Sequence, residues 1–122
     1  MQVHLVDGTY ELFRQHFGQA SRHEDPGPYA ATVGVVGSTL QLVADGATHV
    51  GIASDHVIES FRNDLWPGYK TSDGMLPELL MQIPLMEEAL TAAGFTVWAM
   101  VEVEADDALG AAAAVASADP RV

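Results

Sequence analysis

An α/β domain with a mostly parallel sheet is the fold class that this sequence predicts. Three short apolar segments alternate with longer segments whose apolar residues recur every three or four positions, as expected for strands followed by helices. An acidic residue stands at or just after the end of each apolar segment. The length of 122 residues fits one domain, so we expect 1–122 to form a single unit.

The first half of the chain contains two predicted strands and two predicted helices. The apolar run Val3–Val6 predicts a buried strand, and the apolar spacing of Thr9–Phe17 predicts a helix. Gly18–Pro28 is rich in glycine, proline and polar residues, which predicts a solvated loop. A second helix is predicted over Tyr29–Ala44 and a second strand over His49–Ala53.

The second half adds a polar segment, two helices and a third strand. Asp55–Gly74 is polar with isolated aromatic residues, which indicates an ordered functional loop. Leu76–Ala93 has helical spacing, and Pro84 is predicted to kink this helix or divide it in two. Phe95–Val101 predicts the third strand, and the alanine-rich segment Ala105–Ser117 predicts a helix that packs closely on the sheet.

Composition restricts the classes of protein and of site. Because the chain has no cysteine, disulfides and thiolate metal sites are excluded, and any metal must be held by oxygen or imidazole. No window reaches the roughly 18 to 20 consecutive apolar residues of a membrane span, so we expect a cytoplasmic protein without a membrane partner. The formal net charge is −12, from 17 acidic and 5 basic residues. Proteins that bind nucleic acid usually present a basic surface. Either nucleic acid is therefore not the partner, or the acidic residues surround bound cations and the basic contacts lie outside these residues.

Five acidic residues near the strand ends favour a metal site. Parallel strands end at one edge of a sheet, so Asp7, Asp55 and Glu104 should converge there. Asp106 and Asp107 fall in the first turn of the last helix, where helix capping alone would explain them. Like charges this close repel by roughly 1 to 4 kcal/mol per pair, and bound cations or protonation relieve that repulsion. Oxygen ligands favour Mg²⁺ or Mn²⁺, ions suited to phosphodiester hydrolysis, although spacing alone leaves turn and cap roles open.

Several short motifs run along the whole chain: Val6-Asp7-Gly8, Ser54-Asp55, Ser60-Phe61-Arg62, Gly68-Tyr69-Lys70, Gln82-Ile83-Pro84-Leu85 and Val103-Glu104-Ala105-Asp106-Asp107-Ala108. In order and spacing they resemble the 5′-3′ exonuclease domain of bacterial DNA polymerase I and its stand-alone relatives, the flap-endonuclease family. The resemblance implies a PIN-like three-layer α/β fold. It also implies a metal-dependent 5′ nuclease that cuts DNA with 5′ ends or flaps, and in related enzymes RNA–DNA hybrids, with two Mg²⁺ or Mn²⁺ ions.

The resemblance also assigns roles to individual residues. The metal-site acids that it implies are Asp7, Asp55, Glu104, Asp106 and Asp107. Arg62 and Lys70 resemble the basic pair that contacts the scissile phosphate. The family's next metal-binding strand and its helix–hairpin–helix region have no counterpart in 1–122. We therefore expect a C-terminally truncated domain with an incomplete active site and poor activity by itself.

Two other functions stay open. A single-strand ribonuclease of the toxin type would use a similar acidic cluster on a shorter chain with the same PIN-like fold. A non-catalytic acidic module that binds a metal ion or a partner protein would also fit the net charge. In either case Arg62 and Lys70 could be solvated surface charges. We expect Trp66 to anchor the polar loop rather than to stack on a base.

Overall fold

The computed structural model of the protein describes residues 1–22 and 27–122. Within them, strands and helices alternate along the chain as the sequence pattern predicts. The elements are β1 (Val3–Asp7), α1 (Gly8–Ala20), α2 (Ala30–Ala44), β2 (His49–Asp55), α3 (Arg62–Leu65), α4 (Pro77–Ala92), β3 (Thr96–Met100) and α5 (Ala105–Ser117). No helix in these residues has the length and apolar character needed to cross a membrane.

The sheet has the order β1-β2-β3, and both strand pairs are parallel. Helices α1 and α4 pack against the strands and against α2, whereas α5 contacts all three strands from the other face. The predicted three-layer α/β fold is therefore confirmed. In the strand register Asp7 pairs with Ala53 and Asp55 pairs with Met100, so both aspartates lie at the carboxyl edge of the sheet.

The apolar core lies between the sheet and helices α1, α2 and α4. Leu12 of α1, Val35 of α2, Ile52 of β2 and Met86 of α4 are fully buried in one cluster. Burying a side chain of this size stabilises a protein by about 1.5 to 3 kcal/mol. This core fixes the carboxyl end of β2 between α1 and α4, close to the acidic edge.

On the opposite face, a small residue of β2 lies beside a large residue of β3. Gly51 of β2 lies beside the half-buried ring of Trp98 in β3, and a Cβ added to Gly51 would meet that ring at 2.6 Å. Real Cβ atoms do not approach other atoms so closely, so the indole occupies the space of the missing side chain. Trp98 also lines a groove of about 1000 Å³ between this face, the amino ends of the strands and α5.

The structure differs from the predictions made from the sequence in four places. Helix α4 is continuous through Pro84, which lies on the exposed side of the helix, so the prediction of a division there is wrong. The polar segment 55–74 contains the short helix α3, and α1 extends to Ala20, into the segment predicted as a loop. Residues 23–26 of that predicted loop lie outside the described residues. Trp66 does not anchor its loop, because it is 72% exposed.

Candidate active site

Asp7 ends β1 and begins α1 at the same time. Its backbone is extended, with φ −79° and ψ 99°, and its Oδ1 accepts a hydrogen bond of 3.0 Å from the backbone N–H of Tyr10. Aspartate is a favoured N-cap residue because its carboxylate satisfies an N–H that has no partner within the helix. The cap holds the Asp7 carboxylate at the carboxyl edge of the sheet.

Asp55 is tied to both neighbouring helices. Its backbone N–H donates to Thr9 Oγ1 of α1 at 2.8 Å, and its Oδ1 accepts from the backbone N–H of Ala105 in α5 at 2.9 Å. The residue is only 6% exposed. Because one carboxylate oxygen is held by the first turn of α5, the direction of the second oxygen is fixed as well.

The acidic motif before and within α5 is arranged around its N-terminus. Glu104 is buried and precedes the helix, and its backbone N–H donates to Asp107 Oδ2 at 2.9 Å. Asp107 therefore has the capping role that its position also allowed. Asp106 is exposed and lies between them in the sequence.

The basic side chains of Lys70 and Arg62 form ion pairs with these carboxylates. Lys70 Nζ is 3.0 Å from Glu104 Oε1 and 3.7 Å from Asp55 Oδ2. Arg62 bridges two acids: Nη1 is 2.5 Å from Glu104 Oε2, and Nη2 is 2.8 Å from Asp107 Oδ1. Both basic side chains are about one third exposed, so the cluster is open to solvent on the side of the 55–74 segment.

Local hydrogen bonds in the 55–74 segment bring Arg62 and Lys70 together. Asn63 Oδ1 accepts from the backbone N–H of Ser60, just before α3, at 3.0 Å, and its Nδ2 donates to the carbonyl of Lys70 at 2.6 Å. The segment is joined to the chain before α5 by a hydrogen bond of 2.7 Å from Phe61 N–H to the carbonyl of Glu102. These contacts place both cations over the N-terminus of α5.

The charges of the cluster affect each other's ionisation. Burial raises the pKa of Asp7, the Tyr10 N–H opposes this, and the nearby carboxylates Asp55 and Asp106 add to the rise. Burial also disfavours the ionised form of Glu104, but hydrogen bonds from Lys70 and Arg62 outweigh it and lower its pKa. The bidentate contact with Arg62 lowers the pKa of Asp107 to about 2. The Arg62 and Lys70 cations thus neutralise Glu104 and Asp107, whereas the ionised form of Asp7 stays disfavoured, mainly by burial and then by the nearby carboxylates.

We expect Asp7→Asn to raise Tm in the presence of EDTA. A carboxyl group whose pKa is raised on folding destabilises the folded state once pH exceeds its ordinary value, so removing the charge stabilises the protein at pH 7. Asparagine keeps the N-cap hydrogen bond. Differential scanning fluorimetry measures the change. Asp73→Asn, an exposed position with the same loss of charge, is the control. Equal Tm changes in both variants would contradict an unfavourable environment for the Asp7 charge.

The structure brings most of the predicted site residues together. Asp7, Asp55 and Glu104 lie at one edge with Arg62 and Lys70 beside them, and the Asp7 carboxylate also experiences the charge of Asp106. Among residues 1–22 and 27–122, no three Asp, Glu or His side chains are arranged to hold a metal ion as they stand. Oxygens of Asp55, Glu104 and Asp107 already face protein cations. The donor set is nevertheless made of carboxylate oxygens, the ligands that Mg²⁺ and Mn²⁺ prefer.

Three residues that support the site were not found by sequence reasoning. Thr9 binds the backbone of Asp55, Ser60 Oγ donates to Glu104 at 3.3 Å, and Asn63 holds Lys70. Small polar residues of this kind are common in turns, so their sequence signal is weak. Ser60 lies in a recognised motif, which was the one available indication.

Comparison with known proteins shows the family. Residues 2–122 match the family described as "5'-3' exonuclease, N-terminal resolvase-like domain". The chain belongs to this family. DNA polymerase I of Mycobacterium leprae is 32% identical over 108 residues, which are 84% of this chain and 12% of that protein. The 5'-3' exonuclease of Bacillus subtilis is 34% identical over 115 residues, 87% of this chain and 38% of that protein. The exonuclease-family chain therefore spans well under half the length of these relatives.

Solved structures support the fold. The T5 D15 protein, co-crystallized with metal ions, has a TM-score of 0.65 and 21% identity, covering 96% of this chain and 44% of that one. The T5 5'-exonuclease with bound zinc ions has a TM-score of 0.55, also at 21% identity, and the match covers 88% of this chain and 41% of that one. At this identity the likeness shows a common fold for the exonuclease-family domain.

Proposed function

We propose that this domain provides part of the active site of a divalent-metal-dependent 5′ nuclease that hydrolyses phosphodiester bonds in DNA with 5′ ends or flaps. One observation carries the proposal: Asp7, Asp55 and Glu104 meet at the carboxyl edge of a parallel sheet, with Arg62 and Lys70 beside them. Open parallel sheets bind their ligands at this edge. Membership of the 5'-3' exonuclease family supports the reaction class.

Asp7, Asp55, Glu104 and Asp106 would hold Mg²⁺ or Mn²⁺. When bound, such an ion supplies Lewis-acid stabilisation of phosphate oxygens and an activated water. Asp107 remains a predicted ligand, although both of its oxygens bind Arg62 and one also caps α5. Its contacts favour a role in orienting Arg62. Burial and the nearby carboxylates disfavour the charge of Asp7, and a bound cation would offset both, which supports cation binding on this side of the cluster.

Arg62 and Lys70 would bind the scissile phosphate. Both side chains are partly exposed and reach the cluster from a segment between β2 and α4, so a phosphate can approach them from solvent. Arginine offers paired N–H donors that match two phosphate oxygens, and lysine adds a compact positive charge. Cations fixed beside the reacting phosphate stabilise the charge that develops on its oxygens.

Substrate binding by 1–122 is expected to be weak. The net charge of −12 opposes a phosphate backbone, and two of the five basic residues already neutralise acids in the cluster. In our proposal 1–122 is the N-terminal PIN-like part of a larger nuclease domain. Further metal-binding aspartates and a duplex-gripping helix–hairpin–helix region would lie outside these residues. The partial match to the longer Bacillus subtilis exonuclease supports this arrangement.

A substrate panel tests the proposed function. In Mn²⁺ we expect slow cleavage of a 5′-flapped DNA duplex, faster than cleavage of a single-stranded RNA of equal length, and no cleavage of either in EDTA. The Bacillus subtilis 5'-3' exonuclease serves as the reference for the rate. Preference for single-stranded RNA would support a toxin-type ribonuclease instead. Mn²⁺ binding without cleavage of any substrate at high protein concentration would support a non-catalytic acidic module.

A further inference from the structure

A second polar group lies directly behind Asp55, on the core side of the sheet. Glu87 of α4 accepts a hydrogen bond from Ser54 Oγ with one carboxylate oxygen, and its other oxygen is 2.6 Å from His56 Nδ1. Ser54 is completely buried, Glu87 is 7% exposed, and the His56 side chain is 43% exposed. Neither the family motifs nor the acidic pattern pointed to Glu87.

Glu87 contacts the residues on either side of Asp55 in the sequence. Successive side chains of a strand point to opposite faces, so Ser54 and Asp55, the last two residues of β2, face opposite ways, and His56 follows directly after the strand. Glu87 holds both flanking residues from the α4 side. Ala105 N–H holds the Asp55 carboxylate from the α5 side. The carboxyl end of β2 is thus fixed from both faces of the sheet.

A buried carboxylate in this place requires a reason, because transfer of an unpaired charge out of water is strongly unfavourable. Glu87 lies among apolar residues of α4 that form the core, including Met86 and Leu90. Ser54 and His56 are the side chains that hydrogen-bond its two oxygens. An apolar residue would fill the same position at lower desolvation cost, so packing alone does not explain a glutamate here.

We propose that Glu87 is a positioning residue: by holding Ser54 and His56, it fixes the orientation in which Asp55 presents its carboxylate at the acidic edge. This inference rests on the proposed metal-dependent nuclease function for its consequence, since Asp55 is one of the proposed metal ligands. Its structural part, the link from Glu87 through the strand to the Asp55–Ala105 hydrogen bond, can be measured separately. Outer residues that orient metal ligands typically change metal affinity by about 10- to 100-fold when they are replaced.

The test compares three variants of the 122-residue chain. Glu87→Met keeps the length of the side chain but removes both acceptors. Glu88→Met removes the same charge from the exposed neighbouring position of α4 and is the matched control. Glu87→Gln is the conservative variant, because its amide oxygen can accept from Ser54 and its amide N–H can donate to Nδ1 of neutral His56. Mn²⁺ affinity is measured by electron paramagnetic resonance, and exchange of the Ala105 amide hydrogen by NMR.

We expect Glu87→Met to weaken Mn²⁺ binding by about tenfold or more and to accelerate Ala105 amide exchange relative to Glu88→Met, with Glu87→Gln close to the wild type. If Glu87→Met does not fold, Ser54→Ala, which removes one of the two hydrogen bonds, should show both changes to a smaller degree. Equal Mn²⁺ affinity and equal Ala105 exchange in Glu87→Met and Glu88→Met would overturn the proposal. Absence of Mn²⁺ binding by the wild type would instead refute the metal site, and Ala105 exchange alone would then decide whether Glu87 positions Asp55.

Discussion

Replacing Lys70 by methionine should strengthen Mn²⁺ binding and at the same time reduce DNA cleavage. Lys70 Nζ contacts Glu104 and lies near Asp55, so it competes with a metal ion for their oxygens. A unit charge about 4 Å away contributes roughly 1 to 4 kcal/mol, so affinity for Mn²⁺ should rise on the order of tenfold. Loss of a cation beside the reacting phosphate should lower the single-turnover cleavage rate about 100- to 1000-fold.

The control for this prediction is Arg14→Met, which removes one positive charge from an exposed ion pair with Glu11 on α1. That variant should leave the cleavage rate unchanged and alter Mn²⁺ affinity much less than Lys70→Met. Calorimetric titration with Mn²⁺ and a single-turnover assay on flapped DNA give the two quantities. If Lys70→Met weakened both metal binding and cleavage, the lysine would be supporting the acidic edge rather than competing with the metal.

Asp55→Asn should abolish Mn²⁺-dependent cleavage while leaving the fold intact. Asparagine retains the Oδ1 that accepts from Ala105 N–H, and the backbone contact with Thr9 is unchanged. The charged oxygen facing Lys70 is lost, so Mn²⁺ affinity should fall at least about 100-fold, beyond the usual effect of changes outside the ligand shell. The stabilisation that saturating Mn²⁺ gives the wild type should disappear with it, since that stabilisation depends on binding to the native state.

Asp64→Asn is the matched control for Asp55→Asn. Asp64 is exposed on α3, close in sequence to the site, and the substitution removes the same charge. Melting curves with EDTA and with Mn²⁺ show both the intrinsic and the metal-dependent stability of each variant. A Mn²⁺-induced rise in Tm that is equal in the wild type and in Asp55→Asn would mean that the metal binds elsewhere.

The sequence predicted those features of the fold and the site that depend on residues close together in the chain. Parallel strands end at one edge of a sheet, so placing Asp7 and Asp55 at strand ends was sufficient to predict that both lie at that edge, where β1 and β2 are observed to be adjacent. The last helix was predicted with its observed bounds, Ala105–Ser117, because the acidic first turn and the small apolar residues that follow are strong helix signals. These features depend on neighbours within a few residues.

The side-chain contacts could not be predicted in the same way. Arg62 and Glu104 are 42 residues apart, and their ion pair depends on the path of the 55–74 segment over α5. The burial of Glu87 and its two partners depends on which face of α4 meets β2. Trp66 was misjudged because an aromatic residue in a polar segment usually packs, whereas here the short helix α3 leaves it in solvent. Tertiary packing decided each of these cases.

The close contact of Gly51 with the Trp98 ring has a consequence for how sequences of this fold can diverge. A larger residue at position 51 is acceptable only after the indole at position 98 has been replaced by a smaller side chain, because the two compete for one volume. Replacing Trp98 first passes through an intermediate that has only a space beside β2, whereas replacing Gly51 first passes through a clash. Evolution at these two positions is therefore directional: the tryptophan should be lost before the glycine is replaced.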